Sequence, residues 1–124
     1  MWSVATRNAV LDSILQGGTN YISLHDGDPG ITGADEIAGG SYARKPTTNV
    51  QWDAASGAQS ETNIDLVWTD LPAVTITHIG LWSAVSAGTF KIGGELASPV
   101  VISAGQGFII PAAALVAALE AGSV

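Results

Sequence analysis

The side chains best suited to chemistry are concentrated in one glycine-rich stretch of the 124-residue chain, LHDGDPG at residues 24–30. Read as a calcium-binding loop, DGDPGITGADEI supplies carboxylates at its first and third positions. Its fifth position is Gly30 and its twelfth is Ile37, where such loops require oxygen ligands. The EF-hand pattern is therefore not met. A calcium site of another kind stays open as an alternative, built from Asp26, Asp28, Asp35 and Glu36.

The same stretch is typical of a turn that sets the path of the chain. Carboxylates such as Asp26 and Asp28 accept hydrogen bonds from nearby backbone amides, and Gly27, Pro29 and Gly30 have the backbone preferences of tight turns. We favour this interpretation, in which the turn leads into the long loop of residues 35–42. The structural turn motif then consists of His25, Asp26, Asp28, Pro29 and Gly30.

Nothing else in the sequence indicates catalysis or a bound cofactor. His25 and His78 are the two histidines, whereas a zinc site needs three or four ligands, so we expect them to be hydrogen-bonded within the core. A Ser-His-Asp triad can be assembled on paper, but the G-x-S-x-G elbow is absent. No glycine pair opens a helix with a lysine, as phosphate-binding loops do. The sequence predicts no catalytic, metal or cofactor residue and a protein that is not an enzyme.

Composition narrows the classes of partner. The net charge is −7 with only 4 Lys and Arg, too few for the clustered cations that nucleic acid or an anionic membrane surface requires. The longest apolar run, FIIPAAALVAAL, has 12 residues, short of the roughly 20 of a spanning helix. Hydrophobic residues make up 47% and charged residues 12%, which is sparse for a monomer's surface. We therefore expect a soluble homo-oligomer, without nucleic acid or membrane.

The elements that position the turn are predicted to be mostly β. A short amphipathic helix is expected over residues 4–16, begun by Ser3 and ended by Gly17. Strands are predicted at residues 20–25, 62–68, 74–82, 89–96, 99–103 and 108–110, with an extended stretch at 42–52. Residues 112–120 fit either a helix or a strand, and we favour a strand. Short strands at this spacing predict a single domain, residues 1–124, with an antiparallel β-sandwich or jelly-roll-like fold over 20–119.

Four tryptophans are candidates for core packing or for contact with partners. Trp68 and Trp82 lie among apolar residues of predicted strands, and we expect them in the core. Tryptophan is also enriched at protein interfaces and stacks on sugars. Trp2 is our candidate for a subunit contact, and Trp52 for an exposed partner-binding or glycan-binding ring.

In this order the segments resemble a family of short bacteriophage virion structural proteins, often labelled tail-fibre, minor structural or head decoration proteins. The resemblance is carried by NAVLDSILQG, SLHDGDPG, EIAGGSYARK, WDAASGAQSETN, VTITHIGLW, SAGTFKIGGEL and SAGQGFIIPAAAL, which together span nearly the whole chain. The sequence departs from the family pattern at its end, where AALVAALE replaces an alternating Thr/Val run.

The resemblance implies a non-catalytic component of the phage particle whose partners are other structural proteins. The first expectation is a decoration protein on the capsid surface, present as a trimer or other small oligomer that binds the major capsid protein. The alternative is a tail or tail-fibre component involved in host adsorption. Compactness and the absence of a coiled-coil or collagen-like shaft favour the capsid over the tail at this stage.

Overall fold

The computed structural model describes residues 1–120 and is mainly β. Within these residues one α-helix comes first and eight strands follow, so the prediction of a mainly-β, antiparallel fold with a short N-terminal helix is confirmed. The elements are α1 (Val4–Leu15), β1 (Asn20–His25), β2 (Lys45–Thr47), a 3-10 turn (Asn49–Gln51), β3 (Gln59–Glu61), β4 (Leu66–Trp68), β5 (Val74–Trp82), β6 (Phe90–Ile102), β7 (Phe108–Ile110) and β8 (Val116–Ala118).

The chain forms two compact units that alternate along the sequence. Unit 1 comprises Met1–Thr19, Thr47–Leu66 and Ile110–Val124, and unit 2 comprises Asn20–Pro46 and Val67–Ile109. The strands form a four-stranded sheet, β2-β1-β5-β6, and two pairs, β3-β8 and β4-β7. These antiparallel sheets are compatible with the sandwich-like arrangement expected from the sequence. The prediction of a single domain is untested and stays a prediction.

The centre of unit 2 is the antiparallel pairing of β1 with β5. The register runs from Tyr21 opposite Trp82 to His25 opposite His78. Both strands begin and end where the sequence predicts, because their β-branched and aromatic residues pack well on a pleated surface. Ile22, Leu24 and Ile76 are buried in the core.

The prediction of two separate strands at residues 89–96 and 99–103 is wrong. β6 runs unbroken from Phe90 to Ile102 along β5. Its register is interrupted between the pairs Ile76–Val100 and His78–Glu95, so the extra β6 residues before Val100 form an irregularity within the strand. A bulge of this kind bends a strand without ending it. Pro99 falls within this irregularity, whereas Gly93 and Gly94 pair in regular register with Gly80 and Ile79.

Unit 1 is built on α1. The Ser3 hydroxyl accepts a hydrogen bond from the amide of Thr6 at 3.1 Å, which caps the helix as the sequence predicts. The helix buries Leu11 and Leu15. Its polar side chains hold the neighbouring turn, since Asn8 and Asp12 accept hydrogen bonds from backbone amides at positions 58 and 55, each at 2.8 Å. No helix among residues 1–120 combines the length and apolar character needed to span a bilayer.

The segment that fitted either a helix or a strand contains a strand. β8 pairs antiparallel with β3, with Gln59 opposite Ala118 and Glu61 opposite Val116. The strand preferred for residues 112–120 is therefore confirmed at Val116–Ala118. β3, with the sequence QSE, was not predicted, because three polar residues show neither an apolar alternation nor a β-branched side chain.

Candidate functional site

A hydrogen-bonded group of polar side chains in unit 2 lies where two loops meet around Arg44. We call the loop of residues 26–44 and the β5–β6 turn of residues 83–89 the Arg44 loop cluster. The guanidinium donates to both carboxylate oxygens of Glu36, at 2.9 and 2.8 Å. Its Nη1 donates to the carbonyls of Ala84 and Ala87, at 3.0 and 2.8 Å. One side chain thus fixes both loops.

Glu36 stays ionised beneath the loop surface. Burial disfavours its charged form, but hydrogen bonds from Arg44 and Tyr42 outweigh burial and hold the pKa of Glu36 below its ordinary value. The Tyr42 hydroxyl donates to the carboxylate at 2.6 Å and accepts from the amide of Leu24 at 3.1 Å. Burial, followed by the bond to Glu36, raises the pKa of Tyr42. Both groups therefore hold one protonation state at neutral pH.

The cluster rests on the sheet through Trp82. The Arg44 guanidinium lies 3.7 Å from the centre of the Trp82 ring, a cation–π contact. The indole nitrogen of Trp82 donates to the Ser23 hydroxyl at 2.8 Å. Phe90 packs edge-on against the same indole, with ring centres 5.2 Å apart. The predicted core position of Trp82 is confirmed, and the ring connects the loops to a buried polar network.

That network joins β1 to the turn of residues 26–35. Ser23 Oγ lies 2.6 Å from His25 Nε2, and His25 Nδ1 lies 2.7 Å from the carbonyl oxygen of Ala34. Ser23 and His25 are both fully buried, so the expectation of a hydrogen-bonded core histidine is confirmed for His25. Burial lowers the pKa of His25 from 6.5. A serine next to a histidine has the elements of a nucleophile and its base, but here the third group is a carbonyl and solvent does not reach the hydroxyl.

A shallow depression of about 560 Å³ opens over the cluster. Both members of the Glu36–Arg44 ion pair line it, with side chains that are 22% and 7% exposed. The walls are mostly backbone and small side chains. The lining residues are Glu36, Ile37, Ala38, Gly39, Tyr42, Ala43, Arg44, Val85, Ser86 and Ala87. Such a surface suits contact with another protein or a polar ligand better than enclosure of a small molecule.

The structure places the predicted turn motif at the edge of this cluster. Asp28 Oδ1 accepts a hydrogen bond from the amide of Gly30 at 2.8 Å, and Gly30 has a φ of +59°, as a tight turn requires. Asp26 contributes its backbone amide, which donates to the carbonyl of Asp35 at 3.1 Å. Pro29 is buried against β6, where a Cβ added at Gly93 would come within 2.6 Å of the proline ring. The motif therefore docks the loop on the sheet.

The two tryptophans predicted for interfaces differ. Trp2 is 47% exposed and lies close in sequence to Met1 and Val4, which are also exposed. We call these three residues of unit 1 the N-terminal apolar patch. Trp52 is only 2% exposed, and its indole donates to the Thr47 hydroxyl at 3.0 Å. The expectation of an exposed ring at Trp52 is wrong, because that ring belongs to the core of unit 1. The subunit contact at Trp2 stays a prediction.

Carboxylates are also found at a second opening, in unit 1. A cleft of about 290 Å³ is lined by Asp53, Ala54, Ser56, Gln59, Ser60, Glu61 and Val116. Within residues 1–120 no group of three or more His, Asp or Glu side chains is arranged to hold a metal ion. The four acidic residues offered for a calcium site include Glu36, whose carboxylate is instead bound by Arg44 and Tyr42.

Sequence reasoning missed the central role of Arg44. Its partners at Ala84 and Ala87 are 40 and 43 positions away, and they contribute backbone carbonyls, which no side-chain pattern reveals. One signal was present, because Arg44 is one of only 4 basic residues and lies eight positions from Glu36.

Comparison with known protein families identifies the broad class of this protein and then its particular family. The match is to a phage fibre protein, so the mainly-β chain is a virion structural protein of bacteriophage type and the predicted resemblance is confirmed. More particularly, residues 1–118 match the model of the family described as podophage GP4 fiber I protein gp80, and the chain belongs to that family. No curated protein matches the chain. A virion location and association with other virion structural proteins follow from the family.

Proposed function

We propose that this protein is a non-enzymatic component of a podophage fibre, and that it works by contacting other structural proteins of the virion. The observation that supports this most is the match of residues 1–118 to a fiber I family. It favours the tail-fibre alternative over the capsid decoration role that the sequence first suggested, and the capsid role stays an unsupported prediction. The function requires surfaces of fixed shape and no reactive group.

The Arg44 loop cluster has the properties of such a surface. Binding is weakened when loops must become ordered in the complex, so loops that are ordered beforehand bind more tightly. In unit 2 the bidentate Arg44–Glu36 pair, the two carbonyl bonds and the stacking on Trp82 remove that freedom in advance. We infer that the depression over these loops is a contact site for a neighbouring virion protein or a host ligand.

The location is tested by counting and labelling. We expect each purified virion to contain from about three to about a dozen copies of the protein, a number set by the symmetry of the tail. Antibody labelling seen by electron microscopy should fall on fibres. Copy numbers on the order of hundreds, with label spread over the head, would instead support capsid decoration and overturn the fibre proposal.

We also propose that the protein is a homo-oligomer, a trimer by preference, and that the N-terminal apolar patch is its contact. The Trp2→Ser variant should then weaken self-association at least tenfold, because tryptophans at interface centres typically contribute about 2 kcal/mol or more. Light scattering after size-exclusion chromatography measures the mass across a dilution series.

The control is Val50→Ser, since Val50 is 73% exposed in unit 1 but lies outside the patch. It should leave association unchanged. Thermal unfolding of Trp2→Ser should match wild type at dilutions where both are monomers. A wild-type protein that stays monomeric at high concentration, or equal loss in both variants, would refute the patch as the contact.

A further inference from the structure

His25 fastens the turn of residues 26–35 to the four-stranded sheet. Its side chain is fully buried at the end of β1, and Nδ1 holds the carbonyl of Ala34 at 2.7 Å. Two backbone bonds flank this contact. The amide of Asp26 donates to Asp35 at 3.1 Å, and the amide of Ile37 donates to Leu24 at 3.0 Å. The side-chain contact is thus one of three that close the loop.

The hydrogen bonds of this network are complete with a neutral imidazole. A carbonyl only accepts, so Nδ1 carries the proton that bonds to Ala34. Nε2 is then an acceptor, and it receives the proton of the Ser23 hydroxyl, whose oxygen accepts from the indole of Trp82. A second proton on His25 would aim two donors at Ser23 Oγ and leave the serine proton needing another acceptor. The buried network has no room for that proton without rearrangement.

The charges around His25 do not attract a second proton strongly enough to overturn the preference for a neutral imidazole. Glu36 from the loop attracts it, but that carboxylate is neutralised by Arg44. Arg44, which stacks on Trp82, and His78, which is opposite His25 on β5, both disfavour it. Glu95 on β6 lies 4.0 Å from His78 and is largely exposed. Asp26, Asp28 and Asp35 complete the acidic groups of the turn.

We propose that His25 acts as a proton-controlled switch, and that its protonation releases residues 26–35 from the sheet and so loosens the Arg44 loop cluster. Glu36 follows the released segment directly, and the two backbone bonds named above form the bridge that pairs His25 with Glu36. A surface that is stiff at neutral pH would become mobile in acid. This inference does not depend on the fibre assignment.

The direction and window of the effect follow from linkage. Burial holds the pKa of His25 below 6.5 in the closed loop, while an opened loop exposes it to solvent and restores the ordinary value. The stability that neutral His25 gives to the closed loop is therefore complete above pH 6.5. It is lost as the pH falls through the lowered pKa of His25. The pKa of Glu36 is also lowered, from 4.5, so its contribution is lost only below that pH. Acidification from about pH 7.5 to about pH 5 therefore tests the protonation of His25 separately from that of Glu36.

Amide hydrogen exchange, corrected for the intrinsic pH dependence of exchange, measures loop opening directly. The reporters are the amides of Asp26, Gly33 and Ile37, which are all hydrogen-bonded in the closed loop. Between about pH 7.5 and about pH 5, protection in the wild type should fall about tenfold or more. His25→Gln does not titrate in this range, so its protection should vary less than about twofold. His78→Gln leaves His25 as the only histidine of the sequence and should behave as wild type.

The proposal fails if wild-type protection is independent of pH, or if His25→Gln loses protection as the wild type does. A second measurement covers the case in which His25→Gln does not fold. Nitrogen NMR of the wild-type imidazole should show an Nδ1-protonated neutral ring at pH 7 and a midpoint below 6.5. A midpoint at or above 6.5, or loop resonances that do not shift with the ring, would overturn it.

Discussion

Replacing Arg44 by methionine is expected to destabilise unit 2 by about 3 kcal/mol, because it leaves the half-buried Glu36 carboxylate without its cation. The substitution keeps much of the side-chain volume and removes four hydrogen bonds, two to Glu36 and one each to Ala84 and Ala87. It also removes the cation above Trp82. Urea unfolding followed by tryptophan fluorescence gives the change in the free energy of unfolding.

Two further variants separate charge from geometry. Arg44→Lys keeps the charge but cannot form the bidentate bond or reach both carbonyls, so we expect most of the loss to persist. The double variant Arg44→Met with Glu36→Gln removes the unpaired carboxylate and should recover part of the stability. If Arg44→Met unfolds within about 0.5 kcal/mol of wild type, the guanidinium does not hold the cluster together.

The elements predicted best are those whose signal is local. β5 is rich in β-branched and apolar residues and β1 is a short run bounded by turn residues, and the ends of both were predicted to the residue. The cap of α1 by Ser3 was also readable, since its partner is three positions away. The Asx turn at Asp28 belongs to the same class, because its partner is Gly30.

The elements predicted poorly depend on partners distant in sequence. Gly93 and Gly94 look like strand breakers, yet β6 continues because β5 supplies an uninterrupted partner and Pro29 packs against Gly93. The sequence suggested that the Trp52 ring is exposed and binds a partner, but the ring is buried in the core of unit 1 and bonded to Thr47. The residue type alone does not tell whether a tryptophan is buried or exposed, because burial depends on the tertiary structure.

Gly80 lies in close contact with the Ser23–His25 network, and we expect its replacement by alanine to have a second large effect. It lies on β5 opposite Ser23 and Gly93. A Cβ at this position would lie 2.6 Å from the Ser23 hydroxyl and 2.8 Å from His25 Nε2. Both atoms are held by hydrogen bonds, and neither can withdraw without breaking one. The backbone there does not need glycine's special angles, so any effect is steric.

We expect Gly80→Ala to lower the free energy of unfolding by about 3 kcal/mol, since overpacking typically costs about 1–3 kcal/mol and a displaced buried hydrogen bond adds to it. Gly94→Ala is the matched control, because Gly94 lies on the adjacent β6 opposite Ile79 and a Cβ there meets nothing within 4 Å. It should change stability by no more than about 0.5 kcal/mol. Equal unfolding midpoints in urea for the two variants would mean that the network tolerates the methyl group. A large loss confined to Gly80→Ala, with an altered His25 imidazole resonance, would show that glycine at this position makes room for the Ser23–His25 pair.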